Sequence, residues 1–279
     1  MKPLAPMPIV DTHVHIWPDP RPERPYPWTP DPHPIEVLVP LLESAGVSTA
    51  VQVTPTIMGF DNQYGVDVAE RLGSLAGVFG RFDPDAPGMR RRLEAWSATP
   101  GALGIRLTFF QDAAGTAAEL RRLDPLWADL EELDVPVAVL APAANGGLAQ
   151  LVERHPKLRL VVDHLGLGTY DEDRDPFADW HRLAELAEFE HVLVKISTLV
   201  EASAEDYPFR DVHERLAEVV ELFGARRLMW GSNHPVVAKK CGYAESLNYL
   251  GECAFLSRED LEWLTHRTFT TCLGRNGGA

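Results

Sequence analysis

The sequence has little of several features that mark particular classes of protein. Its 279 residues include three cysteines, an odd number late in the chain, at Cys241, Cys253 and Cys272. Neither zinc-ribbon nor thioredoxin spacing is present, so reduced thiols in the cytoplasm are the simplest interpretation. No apolar run is long enough to span a bilayer, and residues 1–8 contain no apolar core of signal-peptide length. We therefore expect a cytoplasmic protein with no membrane partner.

Basic residues are also scarce. Lys and Arg number 26 against 41 Asp and Glu, which gives a formal net charge of -15. A chain of this charge repels phosphate backbones, so we expect no nucleic-acid partner. A small anionic substrate remains compatible with it, because a few cations can dominate the potential inside a cleft. The sequence leaves a homo-oligomer open.

The composition is otherwise that of a globular protein, and two kinds of segment alternate along it. Hydrophobic residues make up 45% of the chain, which excludes disorder. Apolar, strand-like runs lie at 8–15, 48–53, 76–81, 102–108, 135–140, 158–164, 191–197 and 226–232. Helix-like stretches lie at 34–45, 61–73, 87–98, 115–133, 146–154, 175–189, 207–223 and 242–272. Eight such repeats predict an α/β fold, a (β/α)8 TIM-type barrel, as a single domain over residues 1–279.

A doubly wound open sheet is the alternative to the barrel. That fold usually carries a Gly-rich first turn for a nucleotide, whereas the first turn here holds histidines. Residues 8–16 read Pro-Ile-Val-Asp-Thr-His-Val-His-Ile. Because side chains on a strand alternate between faces, we expect Asp11, His13 and His15 to share one face. Two imidazoles so placed can bind a metal or handle one substrate together, and we favour this over a pair of satisfied core histidines.

Further polar residues fall at the predicted strand ends, where barrels carry their catalytic groups. They are Arg81, Asp83, Arg106, Asp163, His164, Lys195, Ser197, Asn233 and His234. Arg106 either binds a substrate carboxylate through its forked geometry or bridges to a helix. Lys195 lies among Val and Ile, and we expect it to face a polar centre rather than only to pair with a buried carboxylate.

Other polar and aromatic residues are assigned structural roles, or two alternative roles. Asp163 directly precedes His164, so strand alternation turns it away from the site and predicts a structural role. Six histidines are expected at the surface: His33, His155, His181, His191, His213 and His266. The proline-rich segment 17–34 is predicted to be a loop over the strand ends, where Trp17, Tyr26 and Trp28 either line a pocket or pack the loop.

Four motifs together resemble the amidohydrolase superfamily. They are Asp11-Thr-His-Val-His, Val162-Asp-His-Leu-Gly, Val194-Lys-Ile-Ser and Arg227-Leu-Met-Trp-Gly-Ser-Asn-His-Pro. The similarity covers nearly the whole chain and is closest to the amidohydrolase-related branch of small lactone hydrolases and non-oxidative decarboxylases. The resemblance implies a barrel with its site at the strand ends, where His13, His15 and His164 contact the substrate or a metal.

Two positions depart from the pattern of that branch. Many relatives carry on strand eight an Asp that binds metal in some and activates water in others, and Asn233 stands here instead. Many also carry a His on strand five, whereas residues 136–142 contain none. Asn cannot accept a proton at neutral pH and is a poor zinc ligand. Since a subset of the branch also has Asn there, we expect an active enzyme in which His164 or His234 is the base.

The sequence therefore favours a hydrolase that opens a small carboxylated lactone or a related ester. The predicted catalytic residues are His13, His15, His164, Asn233 and His234, and the predicted substrate-binding residues are Arg106, Lys195, Arg81 and Trp17. If a divalent metal (Zn or Mn) is bound, its predicted ligands are His13, His15 and His164, but we favour a metal-free reaction. The alternatives are a metal-dependent decarboxylase of an aromatic or enol acid, and a non-catalytic binding protein with a degenerate site.

Overall fold

A computed structural model describes residues 4, 6–19, 31–73, 75–142, 144–168 and 175–274. Eight parallel strands form one sheet in sequence order. They are β1 (Val10–Val14), β2 (Thr49–Val53), β3 (Leu75–Arg81), β4 (Ala102–Thr108), β5 (Val137–Leu140), β6 (Leu160–Val162), β7 (Leu193–Lys195) and β8 (Leu228–Met229). The sheet curls into a nearly closed barrel with helices between the strands, which confirms the predicted (β/α)8 fold.

The barrel closes between β1 and the residues that follow β8. The Asn233 N–H donates to the His13 carbonyl at 2.9 Å, and the His15 N–H donates to the His234 carbonyl at 2.8 Å. Gly231 permits this approach, since a Cβ there would lie 2.7 Å from the Cβ of His13. The closure brings the Asp-x-His-x-His strand against the last predicted motif of the chain.

Eleven α-helices are assigned in the described ranges. They are α1 (Ile35–Ala45), α2 (Gln63–Leu72), α3 (Met89–Ala98), α4 (Ala113–Arg122), α5 (Asp124–Glu132), α6 (Asn145–Arg154), α7 (Leu183–Ala187), α8 (His213–Phe223), α9 (Tyr243–Asn248), α10 (Arg258–Glu262) and α11 (Thr268–Cys272). None of the helices in these ranges combines the length and apolar character needed to cross a membrane.

Several predicted elements are interrupted in the structure. The predicted helix 115–133 is the pair α4 and α5, because Pro125 in the first turn of α5 suits a helix start but lacks an N–H to continue one. The region 242–272 is likewise divided, and a π-helical turn, Trp263–Arg267, joins α10 to α11. Strands β6 and β8 are shorter than predicted. After β6 the chain leaves the extended conformation, with φ of 59° at His164.

The barrel interior is apolar toward the amino-terminal ends of the strands. We term this cluster the lower layer; its strand residues are Val10, Val51, Val53, Phe79, Ala138, Val161, Leu193 and Met229. Six of these eight side chains are completely buried or nearly so, as expected of a parallel sheet covered on its outer face by helices. The lower layer supports the polar residues that lie at the opposite ends of the strands.

Candidate active site

Buried histidines and charged side chains fill the barrel interior at the carboxyl ends of the strands. We term this cluster the upper layer; it comprises His13, His15, Arg106, Asp163, His164 and Lys195, all buried. The ring centroid of His13 lies 4.9 Å from that of His15 and 4.4 Å from that of His164. Residues from β1, β4, β7 and the turn after β6 are therefore close enough to act on one small molecule.

Asp163 lies at the centre of the upper layer, so the prediction that it points away from the site is wrong. Its Oδ1 is 3.1 Å from Lys195 Nζ and 3.5 Å from His13 Nδ1, and its Oδ2 accepts a hydrogen bond from Arg106 Nε at 3.1 Å. The prediction failed because β6 has already ended. With His164 in the left-handed region, adjacent side chains no longer alternate between two faces.

The charges of the upper layer do not cancel. Burial by itself would raise the pKa of Asp163, but the ammonium of Lys195 and the guanidinium of Arg106 hold that pKa well below its usual value. Burial lowers the pKa of Lys195, and the charge of Asp163 opposes this shift. One carboxylate of the upper layer lies between two cations, and the buried carboxylate of Asp11 also acts on Lys195.

The three histidines of the upper layer are neutral at physiological pH. Burial lowers the pKa of His15 to about 3, and it also lowers the pKa of His13 and of His164. Hydrogen bonds fix two of the rings: His15 Nδ1 lies 2.6 Å from the Val53 carbonyl, and His164 Nδ1 lies 2.8 Å from Ser197 Oγ. Each neutral imidazole has one donor and one acceptor nitrogen, which suits proton transfer or the binding of a carbonyl oxygen.

Asp11 is bound differently from the histidines of β1. The register between β1 and β2 shifts between Asp11 and Val14, so the regular alternation predicted for this strand is interrupted. The Asp11 carboxylate accepts hydrogen bonds from the backbone N–H groups of His13 (3.0 Å) and Ser232 (2.9 Å) and from the Tyr243 hydroxyl (2.7 Å). It thereby ties β1 to the segment after β8.

Asn233 lies beside a carboxylate that the sequence analysis missed. Its Nδ2 donates to Glu201 Oε1 at 2.9 Å. Glu201 is half-buried in the loop after β7. Burial raises the pKa of Glu201 to about 7, and the hydrogen bond from Asn233 opposes the shift. Glu201 escaped attention because it lies well beyond the strand, in a stretch with no motif.

His234, one of the predicted bases, lies toward the loop that follows β1. Its ring centroid is 4.9 Å from that of His33 and 5.5 Å from that of Tyr243. Burial, with a smaller contribution from His33, lowers the pKa of His234 to about 4. The ring is therefore neutral at physiological pH and is a weak base.

Of the six histidines that were expected at the surface, only His181 is exposed, whereas His155 is buried and the others are half-buried: His33, His191, His213 and His266. His33 is half-buried, with its ring centroid 5.4 Å from that of Trp17. His155 is buried, with Nε2 3.1 Å from Asp124 Oδ1 and Nδ1 3.4 Å from Glu131 Oε2. A surface assignment from loop or helix position overlooked the packing of neighbouring elements over these rings.

Trp17 packs the described part of the loop after β1. Its Nε1 donates to the Asp31 carbonyl at 2.8 Å, and its ring joins a small apolar cluster with Ile57. Its side chain is 8% exposed, which leaves little surface for a ligand. The other aromatic residues considered for this pocket, Tyr26 and Trp28, lie outside the described residues.

A cavity of about 390 Å³ opens at the ends of β3 and β4. Arg81 and Arg106 both line it, together with Phe60 and Thr108. Asn62 fixes the end of β3, because its side-chain amide accepts from the Arg81 N–H at 2.8 Å and donates to the Arg81 carbonyl at 2.9 Å. The two arginines are buried. Acidic residues that also line the cavity are more exposed: Asp83, Asp85 and Glu119.

Three residues of the upper layer are arranged like metal ligands. Ligand atoms of His13, Asp163 and His164 lie within 4.8 Å of one another, and this donor set is compatible with a divalent metal such as zinc. The predicted set had His15 in place of Asp163. The ammonium of Lys195, 3.1 Å from Asp163 Oδ1 and 3.4 Å from His13 Nδ1, already supplies positive charge at this position.

Comparison with known proteins identifies the family. A family model described as Amidohydrolase matches residues 10–268. The chain belongs to the amidohydrolase family. It is 28% identical over 232 residues to 4-sulfomuconolactone hydrolase of Rhizobium radiobacter, a match that covers 81% of this chain and 75% of that protein. It is also 28% identical over 249 residues to L-fucono-1,5-lactonase of Burkholderia ambifaria, with 81% and 80% covered.

Solved structures agree with this assignment. The fold matches a crystal structure of an amidohydrolase from Burkholderia multivorans with bound HEPES, at 27% identity and a TM-score of 0.81, over 95% of this chain and 99% of that chain. A second crystal form, with bound zinc, matches at 26% identity with the same coverage and TM-score. Together the relatives support the amidohydrolase-related branch and a hydrolase of the lactonase type.

Proposed function

We propose that this protein hydrolyses a small lactone that carries a carboxylate or another anionic group, and that it does so without a metal. One observation carries the proposal. Lys195 and Arg106 both meet Asp163, and Arg81 lines the same cavity as Arg106, so three buried cations lie toward the carboxyl ends of β3, β4 and β7. In a chain of net charge -15, such a cluster of cations supports an anionic ligand.

The arginines fit recognition of an anionic group. A guanidinium binds a carboxylate through two parallel hydrogen bonds, a geometry that lysine cannot reproduce. Arg106 uses Nε for Asp163, so its remaining N–H groups are those that would meet a ligand. Arg81, held at the end of β3 by Asn62, would contribute a second guanidinium to the same cavity.

His13 is suited to polarise the lactone carbonyl. Lys195 Nζ lies 3.4 Å from His13 Nδ1. With Lys195 donating to that nitrogen, the neutral ring carries its proton on Nε2, an atom with no hydrogen-bond partner within the described part of the chain. An N–H so placed would donate to the carbonyl oxygen, where negative charge grows as water attacks.

The reaction consumes one water molecule. The water oxygen bonds to the carbonyl carbon, the ring C–O bond breaks, and the proton removed from water is returned to the departing ring oxygen. The product is the open-chain hydroxy acid. Lys195 would supply, next to Asp163 and His13, the positive charge that a metal provides in other hydrolases.

The test uses the purified protein with a panel of small lactones. Each anionic lactone is paired with its neutral methyl ester, and hydrolysis is followed by acid release after subtraction of the spontaneous rate. We expect turnover, with kcat/KM higher for the anionic member of each pair. Dialysis against a chelator, checked by elemental analysis, should leave this activity in place.

Three results would contradict all or part of the proposal. Release of carbon dioxide from an aromatic or enol acid, lost on chelation, would favour the metal-dependent decarboxylase. Saturable binding of the panel without turnover of any member would favour a non-catalytic binding protein. Lactone hydrolysis that disappears with the metal would keep the substrate class and overturn the metal-free mechanism.

A further inference from the structure

Three carboxylates, one in β1, one directly after β6 and one in the loop after β7, differ in what they bind. Asp11 accepts from two backbone N–H groups and a tyrosine hydroxyl. Asp163 is held between the charges of Lys195 and Arg106. The cations hold the pKa of Asp163 well below its usual value, which makes it a poor proton acceptor, whereas burial raises the pKa of Asp11 but its oxygens are occupied by the three donors. Glu201 is held by one neutral amide, that of Asn233.

The pair formed by Asn233 and Glu201 is positioned by the barrel itself. Asn233 is completely buried, and its backbone N–H donates to the His13 carbonyl of the upper layer. Its φ of 58° lies in the left-handed region, which asparagine tolerates better than most residues. The side-chain amide thereby reaches the loop after β7 and holds Glu201 Oε1 at 2.9 Å.

We propose that Glu201 is the general base that removes the proton from the attacking water, and that Asn233 is the residue that positions both. This inference rests on the lactone hydrolysis proposed above. The Oδ1 of Asn233 is buried and has no hydrogen-bond partner in the described ranges. It would accept one hydrogen of the water, while the Glu201 carboxylate would accept the other.

The proton transfers balance over one turnover. Glu201 takes a proton from water as the water oxygen bonds to the carbonyl carbon. It then carries that proton until the ring C–O bond breaks and returns it to the departing oxygen. Glu201 ends the cycle as a carboxylate, so neither an oxidant nor a further co-reactant is required.

The surroundings of Glu201 keep its basicity in the useful range. The charged or titratable groups that act on it or respond to its charge are Lys239, in the turn after Asn233, and Cys241. Burial raises the pKa of Glu201 to about 7, whereas the pKa of His15 is about 3 and that of His234 about 4. A base with a pKa near the working pH is more effective than these weaker bases.

The main test substitutes Glu201→Gln, which keeps the shape and the hydrogen bond from Asn233 but removes the base. The matched control is Glu205→Gln, on the exposed side of the same loop. For the lactone that the wild type hydrolyses best, we expect kcat/KM of E201Q to fall by about 100-fold or more. The kcat/KM of the E205Q control should stay within about twofold of the wild-type value. Circular dichroism and thermal unfolding check that both variants fold.

The pH profile provides a readout that a merely structural role would not change. Because the carboxylate form is the active one, wild-type kcat/KM should rise with pH and level off above a midpoint near the Glu201 pKa of about 7. Removal of the Asn233 hydrogen bond in Asn233→Ala destabilises the carboxylate. The Asn233→Ala variant should therefore have a lower kcat, and the midpoint of its pH profile should lie at higher pH.

A rescue experiment completes the test. The double variant E201Q/N233D returns a carboxylate to the end of β8, and it should recover at least about tenfold of the activity lost in E201Q. If the wild type hydrolyses no lactone, the proposed function falls and the role of Glu201 falls with it. If the wild type is active and E201Q matches E205Q in rate and pH profile, only the role of Glu201 is overturned.

Discussion

The two layers of the barrel interior are built from the same eight strands but carry opposite kinds of side chain. In the lower layer Val, Ala, Leu, Phe and Met pack against one another. In the upper layer one carboxylate, two cations and three neutral histidines are buried at similar depth. Phe79 joins the two, since Lys195 Nζ lies 5.0 Å from the centroid of its ring.

The contrast separates what holds the barrel together from what acts on a ligand. Apolar burial stabilises the lower layer without dependence on pH or on ionic partners. The upper layer is stable only as a complete set, because removal of one member leaves a buried charge without compensation. Substitutions in the lower layer should therefore affect mainly stability, whereas substitutions in the upper layer should affect both stability and activity.

The largest effect is expected at Asp163. Asp163→Asn leaves Lys195 and Arg106 buried without their shared anion, so the free energy of unfolding at pH 7 should fall by about 3–5 kcal/mol. Lactone hydrolysis should be lost as well. Denaturant unfolding measures the first effect, with the exposed Asp206→Asn as control, expected within about 0.5 kcal/mol of wild type. A stable D163N protein would mean that the three charges are not energetically linked.

A lower-layer substitution should cost about as much stability but little activity. Met229→Ala empties part of a completely buried cluster, for a loss of about 2–5 kcal/mol, while the volume-conserving Met229→Leu should lose less than about 1.5 kcal/mol. The kcat/KM of folded M229A, measured well below its unfolding temperature, should stay within a few-fold of wild type. A large fall in kcat/KM with normal stability would erase the distinction between the layers.

Glu201 is expected to make the free energy of unfolding depend on pH. Its pKa in the folded protein is raised to about 7, above the ordinary value of 4.5. The unfolded chain therefore releases this proton first, and the stability contributed by Glu201 is complete below pH 4.5 and is lost as pH rises to about 7. Glu201→Gln should be more stable than wild type at pH 8, by at most ~3 kcal/mol, and equal to it near pH 4. Unfolding measured at the two pH values checks the sign, and an equal difference at both would contradict it.

The smallest effect is expected at the cavity. Arg81→Lys keeps the charge and loses the bidentate geometry, so it should reduce the preference for an anionic lactone over its methyl ester by roughly 1–3 kcal/mol. The ratio of kcat/KM for the two substrates measures this preference. Equal losses on both substrates would show that Arg81 does not recognise the anionic group.

Periodicity was sufficient for the barrel because strands and helices are local patterns. Eight apolar runs separated by amphipathic stretches leave few other architectures, and each strand end then falls at one face. For the same reason the structure brings His13, His15, His164 and Lys195 together, as expected of residues at strand ends. Their catalytic roles stay predictions, as do those of Arg81, Arg106, Asn233 and His234.

Alternation misled where the chain leaves the extended conformation. Val161 faces the lower layer, so Asp163 two residues later faces the interior too, and the left-handed turn at His164 brings the adjacent ring there as well; in β1 the register shift interrupts the alternation between Asp11 and Val14. Glu201 could not be found from the spacing of residues in the sequence. It lies in a loop far from any motif, and only the path of that loop in the folded protein brings it to Asn233. A search for acidic residues beyond each strand end would have included it.

The sequence by itself determined the fold and the residue types at the strand ends, since both follow from local patterns of apolar and polar side chains. Only the tertiary structure decided which cation meets which carboxylate, and that Asn233 holds Glu201. Interactions between charges depend on the distance between them and on the water excluded around them. Neither quantity is encoded in the spacing of residues along a chain, and both are set by the turns that bring distant segments together.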